Sequence, residues 1–221
     1  LGIGTVEDFT HISYGYVGLK DASGTFKKMS SRAGTAILAD DVIDQVKQTI
    51  KERFDEEARH ETRDRDELAE KLALCAVKFA FLKSDSKLDL SFDITESVDV
   101  QGDSGMYVMY TYVRTQSILS RVTSSRDEDV VLPNELGAAG DLLRTLLYYE
   151  FAVADSVRDL SVHHISQYLL ELSHQFNSWY AKETILDGGS HEPFKIALVR
   201  AVGVTITNGF NLLGIETVSE M

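Results

Sequence analysis

The spacing of hydrophobic positions changes three times along the chain. Over the first 38 residues, short β-prone pieces such as His11-Ile12-Ser13-Tyr14-Gly15-Tyr16-Val17-Gly18-Leu19 are broken up by glycines. Asp21-Ala22-Ser23-Gly24 has the chemistry of a turn, since glycine supplies positive φ while Asp and Ser bond back to the backbone. This predicts a strand, a turn and then a loop. From Asp40 the period becomes helical: Val42, Val46 and Ile50 recur at every fourth position, giving a stripe that ends near Phe54. Asp40-Asp41 reads as the N-cap of this helix. The charged run from Asp55 to Glu67 reads as a solvated helix end and linker. Within it, Asp64 and Glu67 resemble a capping box opening a helix from Leu68 to about Leu82. Residues 84–105 are irregular, with a short strand expected at Leu90-Ser91-Phe92-Asp93-Ile94.

From Met106 to the end the pattern is that of a helical bundle. One helix is expected over about 106–122. Pro133 suits the first turn of a second, near 134–150, with Asp155 to Leu160 continuing it after a break. Ser161 can cap a third, whose apolar stripe is Val162, Ile165, Leu169, Leu172, Phe176 and Trp179. Pro193 sits in the first turn of the last, with Leu198, Val202, Ile206 and Leu213 on its buried face. The expected fold is therefore mainly α, a helical bundle preceded by a small α+β segment.

Composition narrows the possibilities. The 221 residues carry a net charge of −13, which argues against coating nucleic acid by bulk charge but leaves room for a local patch. The single cysteine, Cys75, has no intrachain partner, so a reducing compartment is the simplest reading. No apolar run approaches the roughly 18–20 residues that span a bilayer, so no membrane is expected. His163-His164 and His174 do not complete a ligand set: adjacent imidazoles are expected on different helix faces, and no metal is expected. Cys75, inside an apolar helix, reads as inert core.

One basic island stands out. Phe26-Lys27-Lys28-Met29-Ser30-Ser31-Arg32-Ala33-Gly34-Thr35 places cations among hydroxyl and glycine residues after a turn, a composition able to hold phosphate oxygens. It lacks the GxxxxGK[ST] pattern of a Walker loop. Lys28-Met29-Ser30-Ser31-Arg32 resembles the KMSKS signature of class I aminoacyl-tRNA synthetases, with Ser31 in place of the second lysine and Arg32 in place of the final serine. Met29-Ser30-Ser31-Arg32-Ala33-Gly34-Thr35 is very similar to the variant of that signature found in arginyl-tRNA synthetases.

Further strings resemble the same family in the same order: Ala76 to Ser84 (AVKFAFLKS), Phe92-Asp93, Gly102 to Tyr110 (GDSGMYVMY), and Tyr112 to Leu119 (YVRTQSIL). So do His174 to Tyr180 (HQFNSWY) and the ending Gly209 to Met221 (GFNLLGIETVSEM).

The resemblance implies three parts. Residues 1–38 would be the end of a Rossmann-type catalytic domain with the KMSKS-like loop, 39–105 a stem-contact connecting region, and 106–221 a helical anticodon-binding domain. It implies ATP, with its magnesium, and arginine as substrates of the full-length enzyme, and arginine tRNA as partner. It also implies a cytoplasmic, monomeric protein. No cofactor is expected on this chain itself. Neither a HIGH signature nor the βαβ halves precede residue 26, so the chain is expected to be part of a longer enzyme and not to aminoacylate alone.

By the resemblance, Lys28, Ser30 and Arg32 would serve catalysis, and Lys27, Lys28, Met29, Ser31 and Gly34 would contact ATP. Tyr107, Tyr110, Arg114, Tyr180 and Met221 would bind tRNA. For Tyr107 and Tyr110, core packing and RNA contact are both open, whereas Phe176 and Trp179 continue an apolar stripe and are assigned to the core. The alternatives are another class I synthetase, such as the cysteinyl one, or a free-standing helical module that binds RNA or protein without catalysis.

Overall fold

A computed structural model describes residues 4–20, 26–28, 38–56, 65–122 and 130–221. A short 3-10 turn, Val6–Asp8, opens the described chain. Strands β1 (Val17–Lys20), β2 (Phe26–Lys28) and β3 (Leu90–Phe92) form a small sheet in the order β2-β1-β3. β1 and β2 are antiparallel, with Gly18 opposite Lys28 and Lys20 opposite Phe26, so a second strand stands where a loop was expected, while the expected turn at 21–24 lies outside the described residues. β3 lies parallel to β1, with Val17 opposite Leu90. The expected strand at Leu90 ends at Phe92, because Asp93 turns outward to cap α3 (Ile94–Ser97), accepting from the Glu96 N–H at 3.1 Å.

Helices α1 (Ala39–Glu56) and α2 (Arg65–Leu82) form an antiparallel pair. Val42, Val46, Ile50 and Phe54 are buried, as their spacing predicts. Asp40 and Asp41 lie in the first turn and not at the cap; Asp41 reaches back to accept from the Leu38 N–H at 3.3 Å. Asp64 lies outside the described residues. Charge pairs line the α1–α2 seam: Lys47–Glu70 at 2.9 Å, Lys51–Asp66 at 2.6 Å and Asp55–Arg65 at 2.6 Å. These pairs are largely exposed and set register more than stability.

The remaining helices are α4 (Gly105–Leu119), α5 (Gly137–Leu147), α6 (Tyr149–Asp159), α7 (His163–Tyr180) and α8 (Glu192–Leu212). The core runs through α2, α4, α7 and α8. Small residues let these helices approach closely. A Cβ at Gly105 would stand 2.6 Å from Phe79 Cβ, and one at Gly203 would stand 2.8 Å from Thr115 Oγ1. Phe79 and Phe210, both wholly buried, meet edge to face at 6.3 Å and tie α2 to α8. Burial pushes the Cys75 thiol up to about 12, so it is core and not nucleophile.

Three expectations in the bundle are corrected. Pro133 precedes α5 by four positions and does not lie in its first turn. The helix expected over 134–150 is two: α5 stops at Tyr148 and α6 starts at Tyr149. Ser161 does not cap α7; its hydroxyl pairs with His163 Nδ1 at 2.7 Å, and the cap position is Val162, which is 38% exposed and outside the buried stripe. The stop before α7 is made by Leu160, whose φ of 50° is left-handed, with the Ser161 N–H donating back to Ser156 O at 3.0 Å. Pro193 does sit in the first turn of α8.

After α8 the chain turns at Gly214, where φ is +65°, and its tail runs against α2. Leu213, Ile215 and Val218 are buried. Lys78 Nζ donates to the Gly214 carbonyl, and Lys71 pairs with Glu216 at 2.7 Å. That pairing, with a second contact to Glu67, holds the Lys71 ammonium up to about 12.

Candidate nucleic-acid interface

The start of α4 is fixed by a small loop. Ser104 caps the helix by accepting from the Tyr107 N–H at 3.1 Å, while its own hydroxyl donates to the Asp99 carbonyl. Lys83, the residue after α2, braces the same loop, donating to Asp103 O at 3.1 Å and to Glu96 Oε1 at 2.9 Å. Tyr107, Tyr110 and Arg114 follow at intervals of three and four, so they lie along one side of α4. Met106, Met109, Thr111, Thr115 and Ile118 are buried beneath.

Packing of α4 on α7 brings Tyr180 to the same place. The Arg114 guanidinium lies 4.6 Å from the Tyr110 ring centre and 5.0 Å from that of Tyr180. Tyr180 in turn stacks on Phe176 at 6.0 Å and 17°. Arg114 Nη2 donates to Tyr110 Oη at 2.8 Å, and Nη1 donates to Asn177 Oδ1. Tyr107 rests against the His174 ring at 4.8 Å, with its hydroxyl 3.2 Å from Nδ1, and His174 Nε2 is 3.0 Å from Asp103 Oδ1.

Four of the five expected tRNA-binding residues are thus one constellation. Tyr110 is 37% exposed, and Tyr107, Arg114 and Tyr180 are half-buried, so neither Tyr107 nor Tyr110 is core. Phe176 and Trp179 are core, as assigned. Met221 is half-buried against the core at the end of the tail and joins none of the hydrogen bonds of this cluster. Asn177, His174 and Asp103 belong to the constellation by geometry, although only the α4 spacing and the aromatic string of α7 hint at it in the sequence.

Chemically, the cluster is a stack of π faces with a planar cation between two of them. Arg114 uses two of its N–H groups, and among the described residues the other three have no acceptor. Such a surface can stack an unpaired base and donate to its edge.

The basic island is placed only in part. Lys27 and Lys28 stand in β2 and not in a loop after the turn, Lys28 opposite Gly18 at the end of the hairpin remote from residues 21–25. Met29, Ser30, Ser31, Arg32 and Gly34 lie outside the described residues. The paired histidines are also corrected: the His163 and His164 rings lie together, 4.0 Å apart, because both turn back toward the preceding loop. His164 meets Asp159 at 2.9 Å, and burial holds the His163 imidazole below its usual range. Among the described residues no group of three or more His, Cys, Asp or Glu converges where a metal could be held. No helix among them is long and apolar enough to cross a membrane.

Aromatic rings beside a planar arginine are the groups on which unpaired RNA bases can stack and bond. The DALR anticodon binding domain matches residues 108–221, and the chain belongs to that family. It is 32% identical to the arginine–tRNA ligase of Halobacterium salinarum over 212 residues, which is 96% of this chain and 33% of that protein. It is 30% identical to the arginine–tRNA ligase of Bacteroides thetaiotaomicron, covering 100% of this chain and 38% of that one. The Thermus thermophilus arginyl-tRNA synthetase structure superposes with a TM-score of 0.80 at 26% identity, covering 94% of this chain and 35% of its own. The chain therefore spans 33–38% of the length of these two relatives.

Proposed function

We propose that this chain is the anticodon-binding part of an arginine–tRNA ligase, carrying with it the KMSKS-like string of the catalytic domain. The single observation that supports the reading best is the Tyr110–Arg114–Tyr180 stack, on the open side of a domain of the anticodon-binding family. In this reading a base of the anticodon loop stacks on the tyrosines and receives hydrogen bonds from Arg114, while Met221 would meet the RNA separately, at the end of the tail. Arginine tRNA is the partner. ATP, with its magnesium, and arginine are substrates of the whole enzyme, which works as a cytoplasmic monomer.

Attack on the α-phosphorus of ATP builds negative charge on the departing pyrophosphate, and preplaced cations and hydroxyls stabilise it. Lys28 would supply charge, Ser30 a hydroxyl contact and Arg32 a planar clamp. Lys27, Met29, Ser31 and Gly34 would shape the ATP contact. Lys28→Ala in the whole enzyme is expected to slow ATP–pyrophosphate exchange by at least about tenfold, which is the loss of one charge-assisted contact. Its affinity for tRNA should change less than about twofold. Unchanged exchange would remove Lys28 from the role.

The reading as a whole is tested by titrating the 221-residue chain with arginine tRNA and with the same tRNA altered in its anticodon, at several salt concentrations. Tighter binding of the unaltered tRNA is expected. The salt dependence should be shallow, because a chain of net charge −13 neutralises few phosphates and each contributes only about −0.7 to the slope. Equal affinities for the two tRNAs overturn the anticodon assignment.

A further inference from the structure

Within the cluster Arg114 is tied to Tyr110 by one hydrogen bond, and its second goes to a residue outside the stacked rings. Between α4 and α7 one side chain meets both of them. Asn177 Oδ1 accepts from Arg114 Nη1, while Nδ2 donates to Tyr107 Oη at 3.1 Å and to Thr111 Oγ1 at 2.8 Å. A guanidinium only donates, which sets the amide with its oxygen toward Arg114. On the other side, the Thr111 hydroxyl proton is already given to the Tyr107 carbonyl at 2.9 Å, so Thr111 offers Asn177 a lone pair. Both neighbours therefore select the same orientation of the amide.

That orientation passes outward. Because Tyr107 Oη receives a proton from Asn177, its own O–H is directed to His174 Nδ1, and His174 Nε2–H then donates to Asp103. Every link in the chain has one donor and one acceptor. Both amide protons of Asn177 are used within the protein, leaving it none to give to a base.

We propose that Asn177 is a positioning residue for anticodon reading: its amide fixes the plane of the Arg114 guanidinium and the direction of the Tyr107 hydroxyl while donating nothing to the RNA. This rests on the anticodon-binding reading above. The partners on α4 lie 63 to 70 residues away in sequence, so the role exists only once α4 and α7 have packed. A base edge is discriminated by donors held in a fixed fork, and a guanidinium pinned at one nitrogen only, by Tyr110, can pivot there and satisfy a wrong edge almost as well as the right one.

The test compares wild-type chain with N177L and N177D, titrating each with arginine tRNA and with its anticodon-altered form. Thermal unfolding is followed in parallel. Leucine keeps the number and branching of the side-chain heavy atoms and removes every hydrogen bond. It is expected to lower the affinity ratio between the two tRNAs by about tenfold or more, with the altered tRNA bound nearly as before. A merely structural role would weaken both tRNAs together and leave the ratio intact.

Aspartate keeps the acceptor for Arg114 but draws the Tyr107 proton inward, and the ratio should fall by less than in N177L. N177D also decides the matter if N177L does not fold. A wild-type ratio in the variants that fold overturns the proposal while the anticodon reading stands; a wild-type chain that does not discriminate overturns both.

Discussion

Phe79→Ala is expected to destabilise the chain by about 3–5 kcal/mol, toward the upper part of the range for buried aromatic truncations. The cost depends on how far the surroundings can close over the lost ring. Here they can close little. Phe79 is wholly buried, its ring meets Phe210 edge to face at 6.3 Å, and its Cβ lies against Gly105 at the closest approach of α2 and α4. Ala69, Ala73 and Ala76 on the same helix are wholly buried, and side chains that short cannot swing into the void. Denaturant unfolding should show a lower midpoint with an unchanged slope. Phe81 is the control: it is 39% exposed, and its replacement by alanine should cost less than about 1 kcal/mol. A loss below about 1 kcal/mol for Phe79→Ala would mean that the α2–α8 contact is not part of the core.

Much of this architecture was legible because burial and periodicity agree. The four-residue spacing of Val42, Val46, Ile50 and Phe54 marks the buried face of α1, and Ile165, Leu169, Leu172, Phe176 and Trp179 mark that of α7. The α5–α6 junction was not legible, since Tyr148 carries helical dihedrals and no glycine or proline marks the break. The stop at Leu160 was hidden for a related reason. A left-handed C-terminal residue is usually glycine, and here a half-exposed leucine takes the conformation instead. Pro133 misled in the opposite direction, being a helix-start residue that stands in the loop before the helix.

The site divides along the same line. Tyr107, Tyr110 and Arg114 share a side of α4 by spacing alone, which any helical reading exposes. Tyr180 joins them only through the packing of α7 on α4. Asn177 could not be read at all, because a single amide in a helix has no periodic signature and its partners are chosen by tertiary contact. The relation between the basic island and the first strand was not legible: a loop was expected after the turn, whereas Lys27 and Lys28 belong to a second strand paired with the first.

Arg114→Ala is expected to abolish discrimination between arginine tRNA and its anticodon-altered form, weakening the cognate complex by about 10–200-fold. The magnitude follows from what the side chain does at once. Its guanidinium lies between two tyrosine rings at 4.6 and 5.0 Å, giving each ring a cation to stack on, and three of its N–H groups have no acceptor among the described residues. Removing it leaves the rings without their spacer and the bound base without its donor. The informative companion is Arg114→Lys. An ammonium preserves the charge, and if the arginine served only to attract phosphate, lysine would restore binding. It cannot lie flat between the rings, nor offer two parallel N–H bonds to one base edge. Arg114→Lys should therefore retain the salt dependence of the wild-type chain but lose most of its preference for the unaltered anticodon. Titrations at two salt concentrations separate the two contributions. A lysine variant that discriminates as well as wild type would show that charge, and not the stacked fork, is what the anticodon meets at this position.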